Sequence, residues 1–268
     1  MNLRKPFHSG TFYPSHPSVL VEFVLQLYTA YFDSCKKISG DGIRVLVSPH
    51  AGYIYSGGIA ACGFHLLANN PSIKRLLVIG PSHYEGFQGF ALSGDDGFES
   101  PLGVLKIDQQ LNRQIGKNEK AGFQISEQVH LQEHSLEVQI PLIQIFLKIK
   151  SFVPILVGYK ADVEYLGELI AKLLEENEDL GVVISSDLSH FLSYKGAMEK
   201  DATTIAKIEA GNWRALDGEC ACGYQGIQAG IIAGEKLGLG FRSLNYINSG
   251  DITSEKDRVV GYSSFVLI

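Results

Sequence analysis

The chain has 268 residues, 45% hydrophobic and 19% charged, which suits a soluble globular enzyme and excludes a disordered or fibrous chain. Its formal charge is −6, and its 23 basic residues form no Lys/Arg cluster, which argues against a nucleic-acid footprint. No apolar signal core follows Met1-Asn2-Leu3-Arg4-Lys5-Pro6-Phe7-His8 and no run is long enough to span a bilayer, so a cytoplasmic protein without membrane contact is expected.

In chain order, Leu20, Val21, Val24, Leu25 and Tyr28 follow a proline at helical spacing and predict a helix over 18–32. Val45-Leu46-Val47-Ser48-Pro49-His50 reads as a buried strand meeting its loop. The small residues between Gly57 and Leu67 predict a helix packed closely on a sheet. A second strand then runs into histidine at Leu76-Leu77-Val78-Ile79-Gly80-Pro81-Ser82-His83. Strands follow over 90–93 and 104–107. The stretch from His130 to Leu147 reads as a helix with Leu136, Ile140, Ile143 and Leu147 on its apolar side. Pro141 is expected to kink it by removing the bond to the Glu137 carbonyl. A strand over 152–157 precedes a helix capped by Asp162, with Val163, Leu166, Leu169, Ile170, Leu173 and Leu174 on one side. The third strand ending in histidine is Val182-Val183-Ile184-Ser185-Ser186-Asp187-Leu188-Ser189-His190. Helices over 197–210 and 225–237 and strands over 243–247 and 260–268 complete the pattern. No repeat or linker divides the chain, so a single domain over 1–268 is predicted. The alternation predicts an α/β fold, a three-layer α/β/α sandwich with a mostly parallel, mixed central sheet.

Ligands of open α/β sheets sit outside the carboxyl ends of the strands. Three histidines delivered to that rim point to a built metal centre. Any one histidine is more often structural, but the shared strand–Pro–His context of His50 and His83 favours ligation. Asp187 and His190, three residues apart, are placed to hydrogen-bond, which would fix the ring for acid–base work; capping of a turn by Asp187 is the plainer account. Glu133, His134 and Glu137 gather polar groups on one side of their helix, either as a solvated face or as support behind the centre. Cys222 precedes the Gly-rich helix, where the dipole and free amides favour thiolate, the form a metal binds. Four cysteines make no disulfide framework in a chain this long, and Cys35 and Cys62 read as small buried hydrophobes. His8, His16, His65 and His130 are read as structural or exposed.

Several strings together resemble the Memo family, protein B of the AmmeMemoRadiSam system of bacteria and archaea. They are Arg4-Lys5-Pro6, Gly10-Thr11-Phe12-Tyr13-Pro14, Ser48-Pro49-His50-Ala51-Gly52-Tyr53, Gly80-Pro81-Ser82-His83, Glu133-His134-Ser135-Leu136-Glu137, Ser185-Ser186-Asp187-Leu188-Ser189-His190 and Cys222-Gly223. Tyr224-Gln225-Gly226 departs from the family pattern. The family is similar to the extradiol dioxygenases that use non-haem iron, which implies their fold with a metal pocket at one rim. By motif, His50 and His83 match the two metal-binding histidines, Cys222 the third pocket ligand, and Asp187 with His190 the acid–base pair. A cysteine where those dioxygenases carry a carboxylate is softer, so copper and zinc stand beside the favoured iron as the one bound metal ion. The resemblance implies a metal-dependent oxidoreductase of dioxygenase type, acting on an unknown small molecule or peptide. Competing readings are a non-enzymatic binding or docking protein on the same fold, with AmmeCR-like and radical-SAM proteins as partners, and a zinc-dependent hydrolase.

Overall fold

The computed structural model describes residues 1–35, 38 and 42–268. Among them the strands are β1 (Leu3–Arg4), β2 (Val45–Ser48), β3 (Arg75–Pro81), β4 (Phe90–Leu92), β5 (Gly97–Ser100), β6 (Gly103–Lys106), β7 (Phe123–Ile125), β8 (Ser151–Val157), β9 (Leu180–Ser185), β10 (His190–Leu192), β11 (Phe241–Asn248) and β12 (Val259–Leu267). The α-helices are α1 (Pro17–Tyr31), α2 (Tyr53–Ala68), α3 (Gln109–Gly116), α4 (Glu127–Leu131), α5 (His134–Glu137), α6 (Gln139–Phe146), α7 (Val163–Glu176), α8 (Tyr194–Glu209), α9 (Tyr224–Leu237) and α10 (Ser249–Ile252). The main sheet runs β10-β12-β2-β9-β3-β8-β4-β7, with β11 also paired to β12. Strands β2, β9, β3 and β8 are mutually parallel; β12 and β4 border them antiparallel. A small sheet, β1-β5-β6, stands apart.

Side chains on a strand alternate between faces, and the core divides accordingly. Val45, Val47, Leu77, Ile79, Val182 and Ile184 join one cluster with Leu166 and Ile170 of α7 and Ile227 of α9. Leu46, Leu76, Val78 and Val183 join the other with Leu20 of α1 and Phe64 of α2. Both faces of the parallel strands are therefore buried, as their unbroken apolar runs require. Fold, layers and mixed sheet agree with the sequence reading. Asp162 caps α7 as expected, accepting the Tyr165 N–H at 3.0 Å.

Two expectations need correction. The stretch from His130 to Leu147 is three short helices rather than one kinked helix. Glu133 is the N-cap of α5, accepting the Ser135 N–H, and Pro141 sits in the first turn of α6, where its missing N–H costs nothing. The breaks fall at Gln132-Glu133, between α4 and α5, and at Val138, between α5 and α6, rather than at the proline. Cys35 and Cys62 are also not separate buried hydrophobes: they form a disulfide, Cα–Cα 6.4 Å. Helices α1 and α2 meet at Gly57 and Gly58, where an added Cβ would lie 2.9 Å from Leu27 and 2.2 Å from Tyr31. That close approach carries the two sulfurs together, and sequence spacing alone does not show it.

Candidate metal centre

The parallel order β2-β9-β3 places three loops side by side at one rim: His50 after β2, Asp187 and His190 after β9, and His83 after β3. Cys222 arrives from the opposite layer, just before α9. Its neighbour Gly223 lies so close to β9 that a Cβ would sit 2.5 Å from the Ser185 carbonyl oxygen and 2.7 Å from Ser186 Cβ. Only glycine lets this segment press against the strand end. One ligand atom from each of His50, His83 and Cys222 lies within 4.8 Å of the others.

The hydrogen bonds fix which ring nitrogens face this point. Ser185 Oγ is 2.6 Å from the Ser135 carbonyl oxygen, so its single proton goes there. It must then accept from His50 Nδ1 at 2.8 Å, while Gln139 Nε2 donates to it from the same distance. The proton of His50 is thus on Nδ1, and Nε2 keeps its lone pair, 3.3 Å from Cys222 Sγ. Glu133 works the same way on His83: Oε1 accepts from Nδ1 at 2.9 Å and Oε2 from the backbone N–H at 2.5 Å. His83 is left with a free Nε2. Two imidazoles oriented through their far nitrogens are the usual arrangement of metal ligands.

Electrostatics agree with a neutral, ligating His50 ring. Burial, then the charge of His83, holds His50 well below its ordinary value. Burial would raise the Glu133 carboxyl, but its bonds from the His83 ring and backbone and from Ser135 outweigh it and hold the group at about 2. Burial, followed by the Asp187 charge, pushes the Cys222 thiol up. The helix-terminus effect expected to favour thiolate is overridden by these two effects, although the Asp187 and Gly223 N–H groups and the Ser186 hydroxyl pull the other way. With no metal bound, the thiol proton can be donated to His50 Nε2. A cation would displace that proton, because a coordinating thiol is deprotonated outright. For bonds of about 2.0 Å to nitrogen and about 2.3 Å to sulfur, a tetrahedral N···S edge is about 3.5 Å. The 3.3 Å separation is within a small adjustment of that value. The donor set fits a metal ion.

Asp187 and His190 do not pair as the sequence spacing suggested. Asp187 Oδ1 accepts the His50 backbone N–H at 2.8 Å, and the Asp187 N–H points to Cys222 Sγ at 3.3 Å. Asp187 thus ties two ligand segments together, His50 through its carboxylate and Cys222 through its backbone N–H. Burial pushes its pKa up, against the pull of His190 and the His50 N–H. His190 Nδ1 donates to the Leu188 carbonyl at 2.8 Å, leaving Nε2 free. The ring of His134 lies 5.2 Å from that of His50 and 4.5 Å from that of His83. Its Nδ1 is 3.3 Å from Glu133 Oε1 but not aligned for a hydrogen bond.

Glu137 faces the other way. Its carboxylate accepts from Arg4 Nη1 (2.7 Å), the Phe7 and His8 N–H groups (3.0 and 2.7 Å) and the Tyr13 hydroxyl (2.7 Å). Arg4 also donates to the carbonyls of His130 and Glu133. This hub pins the segment from Arg4 to Tyr13 beside the centre, with His8 and Phe12 packed on His134. Reading the sequence missed Ser185, Gln139, Arg4 and His8 as parts of the centre. The only signal for the first two was their place in strings already marked by histidine.

The sequence profile of the Memo-like protein family matches residues 4–266. A MEMO1 family protein of Saccharolobus solfataricus is 33% identical, covering 97% of both chains. One of Thermoplasma volcanium is also 33% identical and covers 98% of both. Among solved structures, an uncharacterized protein of Escherichia coli K12 superposes with a TM-score of 0.54 at 10% identity, over 84% of this chain and 99% of that one, which shows the fold alone. Match length and identity leave one conclusion: the chain belongs to the Memo-like family.

Proposed function

We propose that the chain binds one metal ion through His50 Nε2, His83 Nε2 and Cys222 Sγ, and uses it as an oxidoreductase of non-haem dioxygenase type. The observation that carries the reading is the convergence of two lone pairs, each fixed by a partner on the far nitrogen, with a thiol. When bound, an iron ion would supply the one-electron chemistry with dioxygen that closed-shell side chains lack. Around it, Glu133 and Ser185 hold the two rings, and Asp187 fixes the His50 and Cys222 segments. His190, with Nδ1 committed to Leu188, takes or gives a substrate proton at Nε2. The segment carrying His8 and Phe12 packs on His134 at one side of the centre. Among the described residues no helix is long and apolar enough to cross a membrane, in keeping with the proposed cytoplasmic setting.

The test is substrate-dependent oxygen uptake by iron-loaded protein, screened over small molecules and peptides. The proposal expects uptake that His190→Ala abolishes while metal content stays unchanged. Tight metal binding without uptake, together with retention of AmmeCR-like or radical-SAM partners, would replace it with the docking reading. The thiol also suits zinc and copper, so elemental analysis of protein purified without added metal decides the element. Zinc with hydrolytic turnover would make the chain a hydrolase.

A further inference from the structure

The Cys35–Cys62 disulfide shares no residue with the metal centre. It joins Cys35, just past the end of α1, to Cys62 in α2, closing a loop of 27 residues. Beside it is a cavity of about 210 Å3 whose wall includes both cysteines, Tyr28, Phe32, His65 and Leu66. Cys35 is half-buried, whereas Cys62 is 2% exposed, so Cys35 is the more accessible of the two cysteines. The surroundings also accommodate the reduced pair. The Tyr31 carbonyl oxygen lies 3.2 Å from Cys35 Sγ and 3.7 Å from Cys62 Sγ, within hydrogen-bonding reach of either sulfur. Asn245 Nδ2 stands 3.5 Å from Cys35 Sγ. Helices α1 and α2 also pack through Gly57 and Gly58, a contact separate from the S–S bond.

We propose that Cys35–Cys62 is a reversible redox site, opened in the folded protein by a low-molecular-weight thiol that enters this cavity and attacks Cys35. A thiolate attacks Cys35 Sγ; a new S–S bond forms there, the protein S–S bond breaks, and Cys62 leaves with the electron pair and takes up a proton. A second thiolate attacks the mixed disulfide and releases Cys35 as a thiol. Two external thiols are oxidised to one disulfide while the protein pair is reduced. Oxidised external disulfide reverses both steps.

The experiment holds the full-length protein in glutathione buffers of stepped redox ratio, quenches with an alkylating reagent and maps the peptides, so that Cys35 and Cys62 are read apart from the free Cys220 and Cys222. Near-ultraviolet circular dichroism reports folding in the same samples. The expected result is complete, reversible conversion of the pair with an unchanged native spectrum, and a transient glutathione adduct on Cys35. In Cys62→Ser, oxidised glutathione should add once, on Cys35; in Cys35→Ser, Cys62 should stay unmodified until denaturant is added. Thiols that appear only in step with loss of the native spectrum would overturn the proposal, as would an adduct found first on Cys62. If either variant does not fold, the wild-type titration and its adduct map carry the test.

Discussion

Replacing Glu133 with glutamine isolates what the support behind His83 contributes. The carboxylate accepts three N–H groups: His83 Nδ1 and Ser135 N at Oε1, both at 2.9 Å, and His83 N at Oε2, at 2.5 Å. An amide of the same shape offers one oxygen and one NH2. If its oxygen takes the Oε1 position, its NH2 meets the His83 N–H donor to donor; if it is turned round, it meets the ring N–H. The first orientation loses one bond to a charged acceptor, worth about 1.5–3 kcal/mol; the second loses two, because the Ser135 N–H also points to the Oε1 position. The ring's acceptor falls from a carboxylate to a neutral amide oxygen in the first orientation and is lost in the second; disturbing such a partner typically weakens metal binding about 10–100-fold, or about 1.4–2.7 kcal/mol. Competition for Zn2+ against a chromophoric chelator measures this directly. Urea unfolding of the metal-free protein separates loss of stability from loss of affinity. Affinity unchanged within about twofold would refute the claim that Glu133 acts through His83 on a bound ion.

Gly223→Ala should displace Cys222, since the new Cβ meets the Ser185 carbonyl oxygen at 2.5 Å; the expected result is loss of the thiolate-to-metal band of Co2+-loaded protein at a cost in stability of about 1–3 kcal/mol. Glu137→Ala leaves Arg4 buried and unpaired, and should lower urea stability by about 3–5 kcal/mol while leaving all three ligand side chains in place. His130 has the opposite character, a base kept neutral. Burial, then the Arg4 charge, holds it at about 3 against an ordinary 6.5. The unfolded chain therefore gains this proton first as pH falls. The contribution of His130 is present above 6.5 and lost progressively toward 3. His130→Gln keeps a donor for the Ala91 carbonyl without a titrating ring, so its stability should fall less steeply across that window in urea titrations.

The parts of the centre legible in the sequence were those coupled to strand ends. His50, His83 and the Asp187–His190 loop follow unbroken apolar runs, and parallel strands must end at a common rim, so their neighbourhood follows from topology. Cys222 was marked by its place before a helix, but the state of its thiol depends on burial under β9, which no local pattern encodes. Ser185 and Gln139 are ordinary polar residues inside apolar strings; their role arises from a chain of bonds joining positions 50, 135, 139 and 185. The Asp187–His190 pairing failed because a nearer carbonyl, Leu188, satisfied the ring. The one-helix reading of 130–147 failed because Glu133 spends its carboxylate on His83 and Ser135 as a cap instead of facing solvent.

The most direct measurement is a crystal structure of metal-loaded protein with anomalous data collected across the absorption edge of the bound element. The account predicts a single ion per chain, bonded to His50 Nε2, His83 Nε2 and Cys222 Sγ, with the remaining positions open to solvent or substrate. An ion held through either Nδ1, or density at the rim with Cys222 still a free thiol, would contradict it.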